Sequence, residues 1–501
     1  MKVNIKAKFN YAYNLLIYNK YKILTVFFRK KKSLIKRHNY FISKGLFKLA
    51  LLSLLQIKHK TKQDRKRINR LSHCLQCLSP NSNTQQYTKT LPLNSSNQYK
   101  NILLVVHNSF PYDSAGYAHR TLHEAKAYQA HGYHVIIATR LGYPWDLAKH
   151  RNLPKKRHQW VDGVEIITLT GIRQYKVDSD IKYALQYAGL LADIICERQI
   201  DLLQASSNYI NGLAAYFAGR KCHIPFIYEA RGMWHITGGS KSSQFKTSEQ
   251  FRYEEIMERF VLNHASANIF ITECMKNHYQ SLTGIPNLVL KNCVDIKEIN
   301  ANYPKLHYQQ GLTFKLLYAG SLVFYEGLEL LINTVAELSA YKITLDIMGD
   351  GRLKADIEKH IKALDTPRIR YHGKLTREAL TKLYSQYHGV IVPRIKCDVT
   401  QMVPPLKPLE ALSHGVPVIV SSLPALREQL TDLQSVLYCE PGSLSSLKKQ
   451  IIHLMTHHND ILKQVQKDII LIKKEKTWDI EITKITKLMP LSPSLTAVAE
   501  S

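Results

Sequence analysis

Acidic residues are nearly absent from the start of this 501-residue chain. Residues 1 to 70 contain 20 Lys or Arg and one acid, Asp64, and so supply most of the net charge of +30. An excess this large and this local exceeds what solubility requires, and it points to an anionic partner. No recognisable nucleic-acid module follows the basic stretch, so we expect no nucleic-acid partner and instead expect an anionic membrane surface.

Long apolar runs are also missing. No run of about 18 uncharged apolar residues occurs, which argues against a membrane-spanning helix. The nearest candidate, Gly45 to Ile57, is short and interrupted by Lys48. It fits either a helix lying among lipid headgroups, which the interleaved apolar residues upstream favour, or a helix packed on the neighbouring domain. The apolar residues concerned are Leu46, Phe47, Leu49, Leu51, Leu52, Leu54 and Leu55 in the candidate, and Tyr11, Tyr13, Leu15, Leu16, Phe27 and Phe28 upstream.

Cysteines are few and scattered, and no secretory signal precedes them. Eight cysteines spread over 501 residues do not resemble a disulfide framework, so we expect reduced thiols in a cytoplasmic protein. Cys74 and Cys77 form a C-x-x-C pair, but no second pair lies at ligand spacing, which argues against zinc. We expect neither a metal nor a cofactor.

Two series of alternating strand and helix patterns follow a polar linker. Asn101 to His107 is a continuous apolar run, typical of a strand buried on both faces of a parallel sheet, and the second series begins at Phe314. Helices are predicted at 121–131, 181–198 and 254–264 in the first series. The pattern predicts an α/β fold of two doubly wound, Rossmann-like domains. The predicted parts are a basic amphipathic extension (1–78), a linker (79–98), an N-terminal domain (99–308), a C-terminal domain with C-terminal helices (309–490) and a tail (491–501).

The most informative segment is Val403-Pro-Pro-Leu-Lys-Pro-Leu-Glu-Ala, followed by a short helix, Gly415 and a buried strand. A helix start supplies free N–H groups, and Lys407 adds a full positive charge; both suit a diphosphate. Glu410, one turn later, suits the two hydroxyls of a ribose. Arg394 ends another predicted strand, at the sheet edge where ligands bind in such folds.

This segment resembles the donor site of the group 1 family of retaining glycosyltransferases. Other stretches resemble that family in the same order along the chain, over about residues 99 to 485. These stretches are Ser114 to Thr121, Asn292 to Asp295, Leu317 to Ser321, Tyr325 to Leu331, Ile347 to Gly351 and Tyr371 to Gly373. The resemblance implies the GT-B fold, in which two Rossmann-like domains face a cleft. It also implies metal-independent transfer, with retention, from a nucleoside diphosphate sugar. The basic extension, which suits a membrane, predicts a lipid-linked or glycan acceptor in surface polysaccharide or glycolipid synthesis, at the inner face of a membrane.

The resemblance assigns roles to residues at strand ends. Donor contacts are expected from Arg394, Lys407, Glu410, Gly320, Ser321, His372 and Gln401. In the first domain, Glu229 and Arg231 follow a predicted strand and are candidates for catalytic contacts near the reacting sugar; a structural ion pair is the alternative. His107 and Gly116 are candidates for the acceptor side, against a satisfied polar strand end and a plain turn glycine. Asp178-Ser-Asp180 spells the D-x-D of metal-dependent glycosyltransferases, but it precedes a helix and is better explained as a cap.

Several family residues are absent. Most members carry two glutamates in an E-x7-E pattern, and Gln401 and Met402 stand where the first is expected. Ser321 and Glu326 stand near the places of a common Arg and Lys. These departures leave open a catalytically weakened binding or scaffold protein. A nicotinamide-binding protein is disfavoured, because G-x-G-x-x-G follows neither opening strand.

Overall fold

The computed structural model describes residues 31–79, 88–93, 99–113, 115–171, 177–279, 284–299 and 306–489. Two compact units divide the chain: residues 1–269, 281–288 and 488–501 form the first, and residues 270–280 and 289–487 form the second. The basic extension belongs to the first unit, and the predicted boundary at 308/309 lies inside the second. The apolar residues noted between positions 1 and 30, most of the linker, Ser114 and the tail lie outside the described residues.

The described part of the extension forms three helices, α1 (Lys31–Ser43), α2 (Phe47–Leu55) and α3 (Lys62–Cys77). Helix α2 covers the apolar candidate, but its side chains face protein. Leu49 and Leu54 are buried, and the Phe47 ring lies 6.1 Å from that of Tyr253 in the following domain. Packing on the domain, the alternative that the sequence left open, accounts for the buried residues of α2, and contact of the exposed residues with lipid headgroups stays a prediction. Among the leucines of α2, Leu52 and Leu55 are the exposed ones, at 37% and 48%.

Helix α3 is fixed to the first unit by an ion pair. Arg70 Nη2 lies 2.6 Å from Asp180 Oδ1, and the Asp180 side chain is 2% exposed. The D-x-D stretch is thus a docking point for the extension. The cap itself comes from Ser179, whose Oγ accepts from the Lys182 N–H, while Asp178 pairs with the Lys182 ammonium.

The first unit is built on an eight-stranded sheet in the order β3-β4-β2-β1-β5-β6-β7-β8. The pairs that join β4, β2, β1, β5 and β6 are parallel, and β3 is an antiparallel strand at the edge. The strands are β1 (Asn101–Val106), β2 (His134–Thr139), β3 (His158–Val161), β4 (Val164–Ile167), β5 (Leu202–Ser206), β6 (Phe226–Ala230), β7 (Ala267–Phe270) and β8 (Asn287–Val289). The helices of this unit are α4 (Gly116–Ala130), α5 (Asp180–Arg198), α6 (Tyr209–Cys222), α7 (Trp234–Lys241), α8 (Ser243–Lys246) and α9 (Glu249–His264). Helix α10 (Glu273–His278), which follows β7, belongs to the second unit.

The second unit is built on a six-stranded parallel sheet in the order β11-β10-β9-β12-β13-β14. The strands are β9 (Phe314–Ala319), β10 (Ile343–Met348), β11 (Ile369–Tyr371), β12 (Gly389–Val392), β13 (Val418–Ser421) and β14 (Val436–Cys439). The helices are α11 (Leu328–Glu337), α12 (Lys354–Ala363), α13 (Arg377–Leu383), α14 (Asp398–Met402), α15 (Lys407–Ser413), α16 (Pro424–Gln429), α17 (Leu444–Thr456), α18 (His458–Glu475) and α19 (Trp478–Thr486). Strands β9, β12 and β13 are apolar and almost fully buried, as expected for the centre of a sheet covered on both faces. Within the described ranges no helix has both the length and the apolar character needed to cross a bilayer.

Candidate functional site

The carboxyl ends of the second unit's strands bring most of the predicted donor residues to one edge of the sheet. Because these strands are parallel, the loops after β9, β11 and β12 share that edge, and they carry Gly320, His372 and Arg394. The turn after β9 leaves little room at Gly320, which has φ of 155°. A Cβ atom there would overlap the side chain of Lys407, which lies directly over the turn.

Lys407 and Arg394 both bind one buried carboxylate, that of Glu326. Lys407 Nζ lies 2.7 Å from Glu326 Oε2, and Arg394 Nη2 lies 2.8 Å from Oε1. Tyr318 completes this group, because its hydroxyl accepts from Lys407 Nζ at 2.9 Å and donates to the backbone oxygen of Ser321 at 2.8 Å. We call Tyr318, Glu326, Arg394 and Lys407 the Glu326 cluster.

The Glu326 cluster keeps a net positive charge. Burial alone would raise the pKa of Glu326, but Arg394 and Lys407 outweigh burial and lower it to about 2. Burial lowers the pKa of Lys407, and Glu326 offsets part of that effect. With Glu326 ionised and both cations protonated, one positive charge remains uncompensated in a site of restricted solvent access, which favours an anionic ligand.

Hydrogen-bond capacity also remains on both cations. Arg394 donates from Nε and Nη2 to Glu326 and from Nη1 to the Val403 oxygen, which uses three of its five N–H groups. Lys407 donates to Tyr318 and Glu326, which uses two of its three. Lys407 is the more accessible cation, since its side chain is 16% exposed and that of Arg394 is 6% exposed. The spare donors suit phosphate oxygens, with Lys407 nearer to solvent.

Glu326 is the residue that sequence reasoning missed. In the sequence, Glu326 is distinguished only by standing near the place of a family Lys. In the structure, Gly327 follows it with φ of 71°, and a Cβ at Gly327 would overlap the Pro393 carbonyl oxygen. This close approach brings Glu326 beside Arg394. Glu326 and Gly327 follow one strand, and Arg394 follows another. An acid followed by glycine after one strand, together with an Arg after a second strand, is the sequence signal that could have identified this ion pair.

The remaining residues that were predicted to contact the donor lie in the same unit, each in a different environment. Glu410 lies in the first turn of α15, and its Oε1 is 3.3 Å from Arg377 Nη1, so any ribose contact competes with this ion pair. His372 is 40% exposed and its Nε2 lies 2.7 Å from Asp346 Oδ1. Ser321 is exposed. These roles stay predictions.

Gln401 and Met402, which occupy the place of the absent glutamate, have different environments. Gln401 is half-buried in α14, and its amide makes no hydrogen bond within the described residues. Met402 is buried, and its backbone oxygen accepts from the Thr272 hydroxyl at 2.7 Å. Gln401 therefore has a side chain available to a ligand, whereas Met402 belongs to the packing of the unit.

In the first unit, Glu229 and Arg231 lie in a four-membered buried ion-pair cluster. Arg231 Nη2 is 2.7 Å from Glu229 Oε2 and 2.5 Å from Glu124 Oε2, and Arg120 Nε is 2.9 Å from Glu229 Oε1. None of the four side chains is more than 4% exposed. These contacts are the structural ion pair that the sequence left as the alternative. The catalytic assignment stays a prediction that the contacts do not favour.

The pKa values of the two carboxyl groups in this cluster, Glu124 and Glu229, are shifted in opposite directions. Burial raises the pKa of Glu124, and the neighbouring charge on Glu229 adds to the effect. Burial would also raise the pKa of Glu229, but Arg231 and Arg120 outweigh it and hold that pKa well below its usual range. At neutral pH the site therefore favours a protonated Glu124 beside an ionised Glu229.

His107 follows β1 and meets the ends of two neighbouring strands. Its backbone N–H donates to the Tyr117 hydroxyl, which donates to the Ser207 oxygen, both at 3.1 Å. Its Nδ1 lies 3.2 Å from Asn208 Nδ2, and its ring centroid lies 5.3 Å from the indole of Trp234. Gly116 is exposed at the first position of α4. The structure thus brings His107 and Trp234 together, and Trp234 was not predicted.

No group of three His, Cys, Asp or Glu side chains that could hold a metal ion occurs in the part of the chain that is described. Cys74 and Cys77 are free thiols on α3. Burial raises the pKa of Cys77, which keeps this thiol protonated at neutral pH.

Two family models match the chain. Residues 313–457 match the model described as glycosyl transferases group 1, and residues 115–291 match the model of a glycosyl transferase 4-like domain. An uncharacterized glycosyltransferase of Methanocaldococcus jannaschii is 21% identical over 279 residues, which are 52% of this chain and 67% of that protein. The matched segments contain the Glu326 cluster and the buried cluster around Glu229.

Solved structures share the architecture at low identity. Sucrose-phosphate synthase from Thermosynechococcus elongatus superposes with a TM-score of 0.61 and 15% identity, over 78% of this chain and 98% of that chain. HepE from Anabaena, solved in complex with UDP and glucose, superposes with a TM-score of 0.56 and 13% identity, over 77% of this chain and 98% of that chain. Similarity at this level establishes the fold.

Proposed function

We propose that this chain, which belongs to the group 1 glycosyltransferases and has the GT-B fold, transfers a sugar from a nucleoside diphosphate sugar to a membrane-associated acceptor, with retention of the anomeric configuration. The observation that carries the donor assignment is the Glu326 cluster, a buried site with one surplus positive charge and spare N–H donors. The complex of HepE with UDP and glucose supports a nucleotide-sugar partner for a protein of this fold.

The cluster residues would act on the leaving group. When the bond between the anomeric carbon and the diphosphate oxygen breaks, the electron pair leaves with the diphosphate and its charge grows. Lys407 and Arg394 are held by Glu326 before the reaction, so little reorganisation is needed to stabilise that charge. The acceptor hydroxyl then adds to the anomeric carbon on the face that the diphosphate leaves, and its proton passes to a departing phosphate oxygen. Glu410 would bind the ribose, and Gln401 would orient sugar hydroxyls; neither a metal nor another cofactor is invoked.

A panel of nucleotide sugars tests the function. We expect one nucleoside diphosphate to raise the Tm of the protein by several degrees through preferential binding to the folded state, and its sugar conjugate to release that nucleotide when acceptor membranes are added. Nucleotide release and sugar incorporation into lipid are measured together. Binding without release under every condition would support the weakened binding protein instead, and no binding to any nucleotide would defeat the proposal.

A membrane-borne acceptor, in surface polysaccharide or glycolipid synthesis, is proposed from the extension. The described extension, residues 31–77, carries 13 Lys or Arg against Asp64. Leu52 and Leu55 lie on the exposed side of α2, with Lys48 and Lys58 also exposed. A small apolar patch beside cationic side chains suits peripheral attachment to the anionic inner face of a membrane.

Charge reversal at this patch is expected to weaken membrane binding. The Lys48→Glu/Lys58→Glu variant should bind vesicles of phosphatidylcholine and phosphatidylglycerol at least about tenfold more weakly than the native protein, because each Lys near such a surface contributes about 1 kcal/mol. Co-sedimentation at low and high salt measures the change. Lys463→Glu, at a site 75% exposed in the second unit, is the matched control. Equal binding by the patch variant and the native protein would contradict the proposed attachment.

A further inference from the structure

Two of the four tryptophans are exposed, and they lie in different settings. Trp145 and Trp478 are buried, whereas Trp160 is 67% exposed and Trp234 is 41% exposed. Trp160 is on β3, the antiparallel edge strand. Trp234 opens α7, a few residues beyond the carboxyl end of β6. Ligands of parallel α/β sheets bind at the carboxyl ends of strands. Trp234 therefore lies where a ligand is expected, and Trp160 does not.

Polar groups from two other strand ends lie around Trp234. Its indole is edge-on to His107, which follows β1, at 5.3 Å and 90°. The His107 ring is held on both nitrogens: Nδ1 contacts the amide of Asn208, which follows β5, and Nε2 accepts from Arg140 Nε at 3.1 Å. The loops of three adjacent parallel strands therefore meet at this tryptophan. Within the described ranges, the indole N–H of Trp234 has no acceptor.

The ring of Trp234 is also backed by rigid structure. The buried Tyr209 packs against it in a T-shaped arrangement, with ring centroids 6.3 Å apart. The Tyr209 hydroxyl donates to Asp180 Oδ2 at 2.9 Å, and Asp180 pairs with Arg70 of the extension. An exposed aromatic ring with fixed support behind it keeps its position without a ligand, so a ligand that stacks on it loses little free energy to ordering the site.

We propose that Trp234 is the stacking platform for a pyranose ring of the acceptor, with its indole N–H available to a sugar hydroxyl. This inference rests on the proposed function and specifies its acceptor as a glycan or glycolipid. A pyranose presents C–H groups on one face and hydroxyls around its rim. The C–H face packs on the π-face of an indole, and the rim requires donors and acceptors next to the ring. The exposed ring of Trp234 supplies the apolar face, and its indole N–H supplies a donor at the rim.

Alkyl glycosides test the platform. Octyl β-glucoside, octyl β-galactoside and octyl α-mannoside are offered as acceptors to the native protein, Trp234→Leu, Trp234→Phe and Trp160→Leu. For the glycoside that the native protein uses best, Trp234→Leu should raise the acceptor KM about tenfold or more, and Trp234→Phe should raise it less. The donor KM and the slow hydrolysis of the donor without acceptor should not change. Trp160→Leu should behave as the native protein.

Binding is measured separately from turnover by fluorescence. In a Trp160→Phe background, Trp234 is the exposed emitter among the described tryptophans, and a stacked sugar should shift or quench its emission. An unchanged acceptor KM in Trp234→Leu, or no response of the emission to any glycoside, overturns the platform. If the native protein binds no nucleotide and releases none from any donor, the proposed function fails instead, so the two failures are distinguishable.

Discussion

Replacement of Lys407 by methionine is expected to lower kcat/KM for the sugar donor by about 100- to 1,000-fold, the range found when one preorganised donor to a developing negative charge is removed. Methionine retains most of the volume and removes the charge. Glu326 keeps Arg394 as its partner in this variant, so the carboxylate is not left alone and the fold should survive. Steady-state kinetics give the loss, and circular dichroism with a thermal melt reports the fold.

The Arg394→Met variant should lose at least as much activity, with a larger fall in Tm. It removes two hydrogen bonds to Glu326 and one to the Val403 oxygen. The matched control is Lys463→Met, because Lys463 is exposed and paired only with its helix neighbour Asp460. If Lys407→Met and the control have the same kcat/KM, the diphosphate does not bind at the Glu326 cluster and the donor assignment is lost.

Replacement of Arg231 by methionine is expected to destabilise the first unit by about 3–5 kcal/mol, because it removes one of the two cations that compensate the buried Glu229 carboxylate. Arg120 is the remaining cation, and it would face Glu124 and Glu229 together. Thermal unfolding followed by circular dichroism gives the change. A variant with native stability but no turnover would instead support the catalytic assignment of Arg231.

The Glu124→Gln variant is the matched control for this cluster. Glu124 is protonated at neutral pH because burial raises its pKa, so glutamine replaces it with little change in charge and a small change in stability. A carboxyl whose pKa rises on folding holds its proton more tightly in the native state. The free energy of unfolding therefore falls as pH increases above the ordinary carboxyl pKa of 4.5.

The difference between the native protein and Glu124→Gln in the pH dependence of stability gives the contribution of Glu124. Glu254 and Glu258 are also buried and have pKa values raised to about 7. The stability of the Glu124→Gln variant should therefore still fall as pH increases, but less steeply than that of the native protein. Melts of both proteins between about pH 5 and pH 8 should show a smaller loss of Tm in Glu124→Gln. Parallel curves would mean that Glu124 is ionised throughout.

Local patterns predicted the second unit well. Its strands are short apolar runs between polar loops, and β10 and β13 have the predicted bounds because burial on both faces leaves a clear signal. Helix starts were less accurate: α4 begins at Gly116 and α9 at Glu249, each five residues before the predicted start. Helix α6 was missed because it is buried around most of its circumference, and a helix without a polar face has no amphipathic period.

The sequence by itself determined that two largely parallel sheets form, that Gly320, His372 and Arg394 follow strands at a ligand-binding edge, and that Lys407 opens a helix. Burial and chain order can be read from local periodicity. Only the tertiary structure decided which charges meet. Glu326 joins Lys407 and Arg394, Arg231 joins Glu124, and Arg70 joins Asp180 across 110 positions. Such pairs depend on how loops from separate strands approach one another, and local sequence patterns contain no information on that approach.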